Sequence, residues 1–491
     1  MTERVSSNHN DKHNKQRALV LQGGGALGAY EVGVLKGLCK KLIEKDKERG
    51  IDKRSLFDIV AGTSIGAMNA AVLVSNVVKK DKTWSEAVGE LERFWKEGIA
   101  LEEGVNSSED IVPVGIFRIF PWWKPWTEQP PKWALCTKEN SKDEKAVNTK
   151  VLATEEAARR YYSTKVFVYG GKKVFSIKDI RVDTKFLDHD PLANWIVLDD
   201  IPLRSQIEAY GDFPIATRFD KGEPRLLITA VDIVEGVTVT FDSYKKADGK
   251  RKTVYYPGGK YGRKKDENSN PIVIEYEDGI TLDQVMAGGA LPEFYDPKEI
   301  NGRKFWDGGI LSNTPLHELL SAHKDYWVNV GNKEVPDLEI YIVNVHSSTI
   351  EDSNIPKNYD EVRDRNFDIL YGDRTYHDQC SASLVTDYID FITKLHDLAN
   401  DHIKDDNEKN AFQKKFEKLQ KEKAKATSDT LGENITHEDL IRGRFETKII
   451  RIERKHDVTT STSLKGADIT IQTIDALIDQ GEKDTKDIIV F

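Results

Sequence analysis

The feature that most restricts the fold is a pair of strand, glycine turn and helix units placed one directly after the other. In the first, Ala18 to Leu21 is an apolar run suited to a buried parallel strand. A QGGG turn follows, and Val34, Leu35, Leu38 and Leu42 then recur at helical spacing. In the second, Phe57 to Ala61 is strand-like, Gly62 to Gly66 forms the turn, and Ala67 to Val74 continues as a small-residue, apolar helix. Consecutive βα units need right-handed crossovers, and so predict a mostly parallel sheet. Both turns then lie at the carboxyl ends of neighbouring strands, where open α/β sheets bind their ligands.

The remaining chain reads as additions to that sheet. Residues 1–16 have no apolar core and read as a disordered tail, residues 17–345 as the domain built on this sheet, and residues 346–491 as a helical extension packing on it. Between about 100 and 200 the pattern loosens into an insertion containing "IFRIFPWWKPWTEQPPKW", with Trp122, Trp123, Trp126 and Trp133 among prolines. These rings could cap an apolar channel, sit at a bilayer interface, or fill the junction with the core. Gly170-Gly171 suits a hairpin turn. "RLLITAVDIV" and "LEIYIVNVH" read as core strands, "VTVTF" as a partly exposed one, and Thr281 with Gln284 as a capping box opening a helix. Residues 351–430 read as charged surface helices, with Phe412, Phe416 and Leu419 on one narrow face. "TKIIRIERKH" and "ADITIQTIDALIDQG" read as a final strand and helix.

Composition excludes several classes. A net charge of -10 over 491 residues disfavours a nucleic-acid binder. Three separated cysteines, Cys39, Cys136 and Cys380, show neither a disulfide framework nor metal spacing, and suit a reducing, cytoplasmic setting. Nowhere do 18 apolar residues run together, so membrane contact is expected to be peripheral.

Three turns carry the chemistry. Gly23, Gly25 and Gly28 satisfy GxGxxG in the context of a dinucleotide site, but the second strand lacks the terminal acid that would hold a ribose, and Asp58 comes too early. Gly62-x-Ser64-x-Gly66 sits at a strand-to-helix junction, the context of a nucleophile elbow. As a bare string it arises by chance roughly once in ten chains of this length, so its placement matters more than its letters. The amides of Gly23, Gly24 and Gly25, with that of Ile65, are placed to stabilise an oxyanion beside Ser64. "KFWDGGILSNTPL" offers Asp307 as the base, followed by Gly308 and Gly309, with aromatic neighbours expected to raise its proton affinity.

Together, GGGxxG, GTSIG and DGG in this order resemble the patatin-like phospholipase family over about residues 17–345. "AGGALPEFYDP" and "LITAVDIVEGVTVTF" are similar to further segments of that family. The resemblance implies a three-layer α/β/α fold and a Ser64–Asp307 dyad without histidine. It further implies hydrolysis of fatty-acyl esters through an acyl-enzyme, with no metal or organic cofactor. Leu27 stands where many members carry arginine or lysine, two positions after the third glycine.

Besides a catalytically silent lipid-binding protein on the same scaffold, two alternatives remain at this stage. One is a Ser-His-Asp esterase using His346, with His317 and His323 next in line; "HELLS" at 317–321 lacks the second histidine of a zinc motif. The other is a dinucleotide-binding oxidoreductase using the first glycine loop.

Overall fold

The computed structural model describes residues 15–51, 55–101, 173–182, 194–256, 273–292, 294–331, 334–425, 435–455 and 465–488. The strands are β1 (Lys15–Leu21), β2 (Ile59–Thr63), β3 (Ser176–Val182), β4 (Asn194–Asp199), β5 (Arg225–Asp232) and β6 (Val237–Asp242). They continue with β7 (Val254–Tyr256), β8 (Lys298–Ile300), β9 (Arg303–Asp307), β10 (Asp337–Asn344) and β11 (Thr447–Glu453). Nine of them form one sheet in the order β11-β10-β1-β2-β5-β6-β7, with β9 on β5 and β8 on β9; β3 and β4 pair separately. From β11 to β5 every pairing is parallel, as the repeated βα units predict, and the remaining strands are antiparallel.

The helices are α1 (Gly28–Glu48), α2 (Ile65–Lys79), α3 (Trp84–Arg93), α4 (Ile201–Tyr210), α5 (Leu282–Gly288) and α6 (Leu316–Tyr326). The last part of the chain adds α7 (Tyr359–Tyr371), α8 (Tyr376–His402), α9 (Asp406–Gln420), α10 (His437–Arg442) and α11 (Ile471–Asp484). Alternation along β1 divides the core into two layers. Leu19 and Leu21 join the cluster beneath α1, α2, α3 and α11, whereas Ala18 and Val20 join the one beneath α6. The fold is therefore a three-layer α/β/α sandwich around a mostly parallel sheet. Thr281 and Gln284 do form a capping box at the start of α5.

Three local expectations need correction. The predicted tail overlaps β1, because Lys15 and Gln16 already pair with Asp337 and Leu338 of β10, and backbone pairing does not require apolar side chains. β2 begins two residues after Phe57, whose ring instead packs edge-on against Trp84 at 5.2 Å. β6 is buried beyond Val237 rather than partly exposed, since β5 and β7 flank it and Thr238 and Thr240 are covered as well. The tryptophan-rich segment and Gly170-Gly171 lie outside the described residues.

Candidate active site

Strand register brings two distant turns together. β6 occupies one edge of β5 over Leu227–Asp232, so β2 and β9 share the other edge. β2 runs along it in parallel as far as Thr63 opposite Thr229, and β9 approaches from the opposite direction, ending with Asp307 opposite Ala230. The two strands meet nearly end to end. Ser64 leaves one end and Asp307 the other, 243 positions apart in the chain.

The turn at Ser64 is a strained elbow, with φ 55° and ψ −127°. A non-glycine residue in such a region costs on the order of 1–3 kcal/mol and persists only where its surroundings fix it. Here the Ser64 amide donates to Gly288 O at 3.0 Å, the Thr63 hydroxyl donates to Ser312 O at 2.9 Å, and Ala67 N donates back to Ser64 O at 3.0 Å. Gly66 is needed for close approach: a Cβ there would lie 2.3 Å from Leu21 O.

Asp307 is buried at 2% exposure, its amide donates to Ala290 O, and its Oδ1 accepts from Gly309 N at 2.7 Å. The Ser64 side chain lines the same cavity and favours the charged form of this carboxylate. Burial pushes the Asp307 carboxyl up to about 6, partly offset by Ser64 and the Gly309 amide. Gly308 lies against β5, where a Cβ would sit 2.5 Å from Thr229 O.

The first glycine loop lies against this pair: a Cβ on Gly23 would be 2.8 Å from the Ser64 Cβ. The Gly23 amide donates to Asn313 O at 3.3 Å, while Asn313 Nδ2 donates to Gly23 O and to Tyr371 O. The Gly23 amide is thereby engaged, and Gly24, Gly25 and Ile65 line the same cavity as Ser64. Gly25 has φ +59°, and Gly28 packs at the start of α1 against Ile65 and Trp95.

Sequence reading missed several residues that hold this loop. Gln22 accepts from the amides of Val345 and His346 at 2.8 and 3.0 Å and donates to the Thr314 hydroxyl. Asn313 stood inside the quoted "DGGILSNTPL" window, but its partner at Gly23 is set only by the fold. The turn Lys465–Ala467 also closes on the loop, with Gly466 O only 2.3 Å from where a Gly25 Cβ would stand. Lys465 is buried and pairs with Asp364 at 2.9 Å and Asp368 at 2.7 Å, both on α7.

His346 faces the same cavity, where its Nδ1 is 3.0 Å from Asp368 Oδ1. Burial lowers its proton affinity more than Asp368 restores it. Burial alone would raise the Asp368 carboxyl, but His346 and Lys465 together outweigh it and hold it at about 2. His323 is remote in role: buried in α6, it bonds Pro336 O and is pushed down to about 3 by burial. His317 sits on α6 and does not line the cavity.

The site opens into a cavity of about 290 Å³. Leu27, Met68, Ile99, Phe175, Leu198 and Phe294 give it apolar walls, and Arg363 and Lys465 contribute cationic groups. Leu27 thus supplies apolar wall where a cation was expected, and the cations enter from the last third of the chain. For a nucleotide cofactor, the end of β2 offers Gly62 and Thr63 where a ribose-binding acid would be required.

The patatin-like phospholipase family profile matches residues 19–320. No curated protein matches the chain. Among solved structures, the crystal structure of VipD from Legionella pneumophila is similar at 14% identity. It covers 95% of this chain and 67% of that one with a TM-score of 0.28, a superposition too loose to carry over any detail. With the matched profile spanning more than half of its length, the chain belongs to the patatin-like phospholipase family.

Proposed function

We propose that the protein is a lipid acyl hydrolase in which Ser64 is the nucleophile and Asp307 the general base. The observation that carries this reading is that Ser64, on its strained elbow, faces the same cavity as a buried carboxylate on which its side chain acts and whose proton affinity is raised to about 6. As Ser64 Oγ forms a bond to the ester carbonyl carbon, Asp307 takes the hydroxyl proton. The amides of Gly24, Gly25 and Ile65 stabilise the oxyanion, each donor being worth roughly 3 kcal/mol of barrier. The carbon–oxygen bond to the alcohol then breaks, and Asp307 returns its proton to the departing oxygen. Water attacks the acyl-enzyme, giving its proton to Asp307, which restores it to Ser64 as the fatty acid leaves. No step draws on a metal or an organic cofactor.

The apolar walls suit an acyl chain, and Arg363 suits the phosphate of a phospholipid head group. Among the described residues no helix is long and apolar enough to cross a membrane, and we take contact with the lipid surface to be peripheral. Cys39 and Cys380 are free thiols, in keeping with a reducing cytoplasmic compartment.

A panel of p-nitrophenyl esters of rising chain length, run beside phospholipid and monoacylglycerol with wild type and Ser64→Ala, tests the reading. Activity surviving the substitution would end it. A second reading has one observation in its favour: His346, whose Nδ1 is bonded to Asp368, lines the same cavity as Ser64. It requires His346→Ala to abolish turnover while Asp307→Asn retains it. The dyad requires Asp307→Asn to be the damaging change.

A further inference from the structure

Helix α8 is fastened on one side and bare on the other. On the fastened side Ile389 is buried, the Thr386 hydroxyl donates to Phe445 O at 3.1 Å, Asp390 pairs with Arg444, and the His396 ring lies 4.2 Å from that of Phe416. On the bare side Leu384, Val385, Tyr388, Phe391, Ile392, Leu395 and Leu398 are each between 46% and 61% exposed. Contiguous exposed apolar surface of this kind marks an interaction site.

The spacing restricts the partner. Leu384, Tyr388, Phe391, Leu395 and Leu398 follow one another at intervals of four, three, four and three residues, the alternating a and d seam of a two-helix coiled coil. Val385 and Ile392 then fall at e positions, and Asp387 and Lys394 at g positions. Neither Asp387 nor Lys394 has an ion-pair partner among the described residues. We propose that this face is the interface between two copies of the chain, paired antiparallel about a twofold axis that crosses α8 between Ile389 and Asp390.

Charge and apolar pattern select that register. With Leu384 against Leu395 of the second copy and Tyr388 against its Phe391, Val385 meets Ile392 on one flank. Asp387 meets Lys394 on the other, and the symmetry makes each contact twice. Sliding by one heptad places Lys394 on Lys394 and Asp387 on Asp401. A parallel pairing sets Asp387 against Ile392 and leaves the charges unmatched. A lipid bilayer is the less favoured occupant, because Asp387, Asp390, Asp397 and Asp401 make the polar side acidic where surface-binding helices carry lysine and arginine.

Sedimentation of the full chain over a roughly hundredfold concentration range tests the pairing. A concentration-dependent dimer is expected, and Phe391→Glu should return it to a monomer with an unchanged melting temperature. Asp387→Lys should weaken the dimer by roughly tenfold through two repulsive contacts, and the double variant Asp387→Lys/Lys394→Asp should restore it. These two positions are exposed, so the charge swap stays decisive even where Phe391→Glu fails to fold. A monomer at every concentration, or a dimer indifferent to both Phe391→Glu and Asp387→Lys, would overturn the proposal. So would a monomer that binds phosphatidylcholine vesicles through Phe391. Failure of the double swap to restore pairing would refute the antiparallel register.

Discussion

The Ser64 wall of the cavity and the Lys465 wall are held by different means. Around Ser64 and Asp307 the fixing bonds are mostly between backbone atoms: Ser64 N to Gly288 O, Asp307 N to Ala290 O, and the registers of β2 and β9 on β5. Around Lys465 they are side-chain contacts: ion pairs from Lys465 to Asp364 and Asp368 of α7, and a hydrogen bond between Asp368 and His346 just past β10. A backbone lattice tolerates exchange of the side chains it displays, so substitution there should remove chemistry and leave shape. A buried charge cluster depends on every member, because removing one strands the others without a partner. Exchange of a single charge should therefore disturb the shape of the glycine loop from a distance.

The largest expected effect belongs to the first wall. Ser64→Ala should lower kcat by on the order of 10⁴-fold or more while the fold persists, as checked by hydrolysis rates and circular dichroism. Asp307→Asn should lower kcat by about 10³-fold and yet stabilise the protein at pH 8. The sign follows from the raised carboxyl: the unfolded group titrates near 3.9, the folded one at about 6, so the folded state binds more protons in between and loses stability as pH rises through that window. Removing the charge should recover roughly 1–3 kcal/mol above pH 6, read as a higher melting temperature that vanishes at pH 4. A lower melting temperature for Asp307→Asn at pH 8 would contradict this account.

Next comes the second wall. Lys465→Met should reduce kcat by about 10- to 100-fold with KM little changed and fluorophosphonate labelling of Ser64 slowed in parallel, since the glycine loop loses its clamp. Partial rescue by Lys465→Arg would separate positioning from general destabilisation. Equal sensitivity of kcat to conservative and non-conservative changes would blur the distinction between the walls.

For wild type, kcat/KM should rise with pH to a plateau above about 6 as Asp307 ionises. A profile governed instead by a group titrating near 8 would point away from Asp307. The smallest effect is expected at the rim, where Arg363→Ala should raise KM for a phospholipid by a few-fold and leave neutral esters unaffected.

Much of the first wall was legible from the chain. Apolar runs followed by glycine turns located β1, β2 and the elbow, because a parallel strand buried on both faces has a recognisable composition and a tight turn needs glycine. The second wall was not legible. Nothing local to Lys465 in "SLKGAD" distinguishes it from an ordinary surface lysine, and its burial depends on Asp364 and Asp368 roughly a hundred positions earlier. The exposed stripe on α8 was obscured for a related reason. Apolar residues occur on both its sides, and only the packing of Ile389 against the protein reveals which side stays open.

The sequence by itself determined the βα units, the elbow serine, the glycine loop and the acid that ends β9, since each is written in residues adjacent along the chain. Only the tertiary structure decided that Ser64 and Asp307 face one cavity, that Gly23 is occupied by Asn313, and that Lys465 lines the same cavity. The physical reason is that these contacts arise from strand register and from ion pairs across hundreds of residues. Their strength depends on the burial produced by the whole fold.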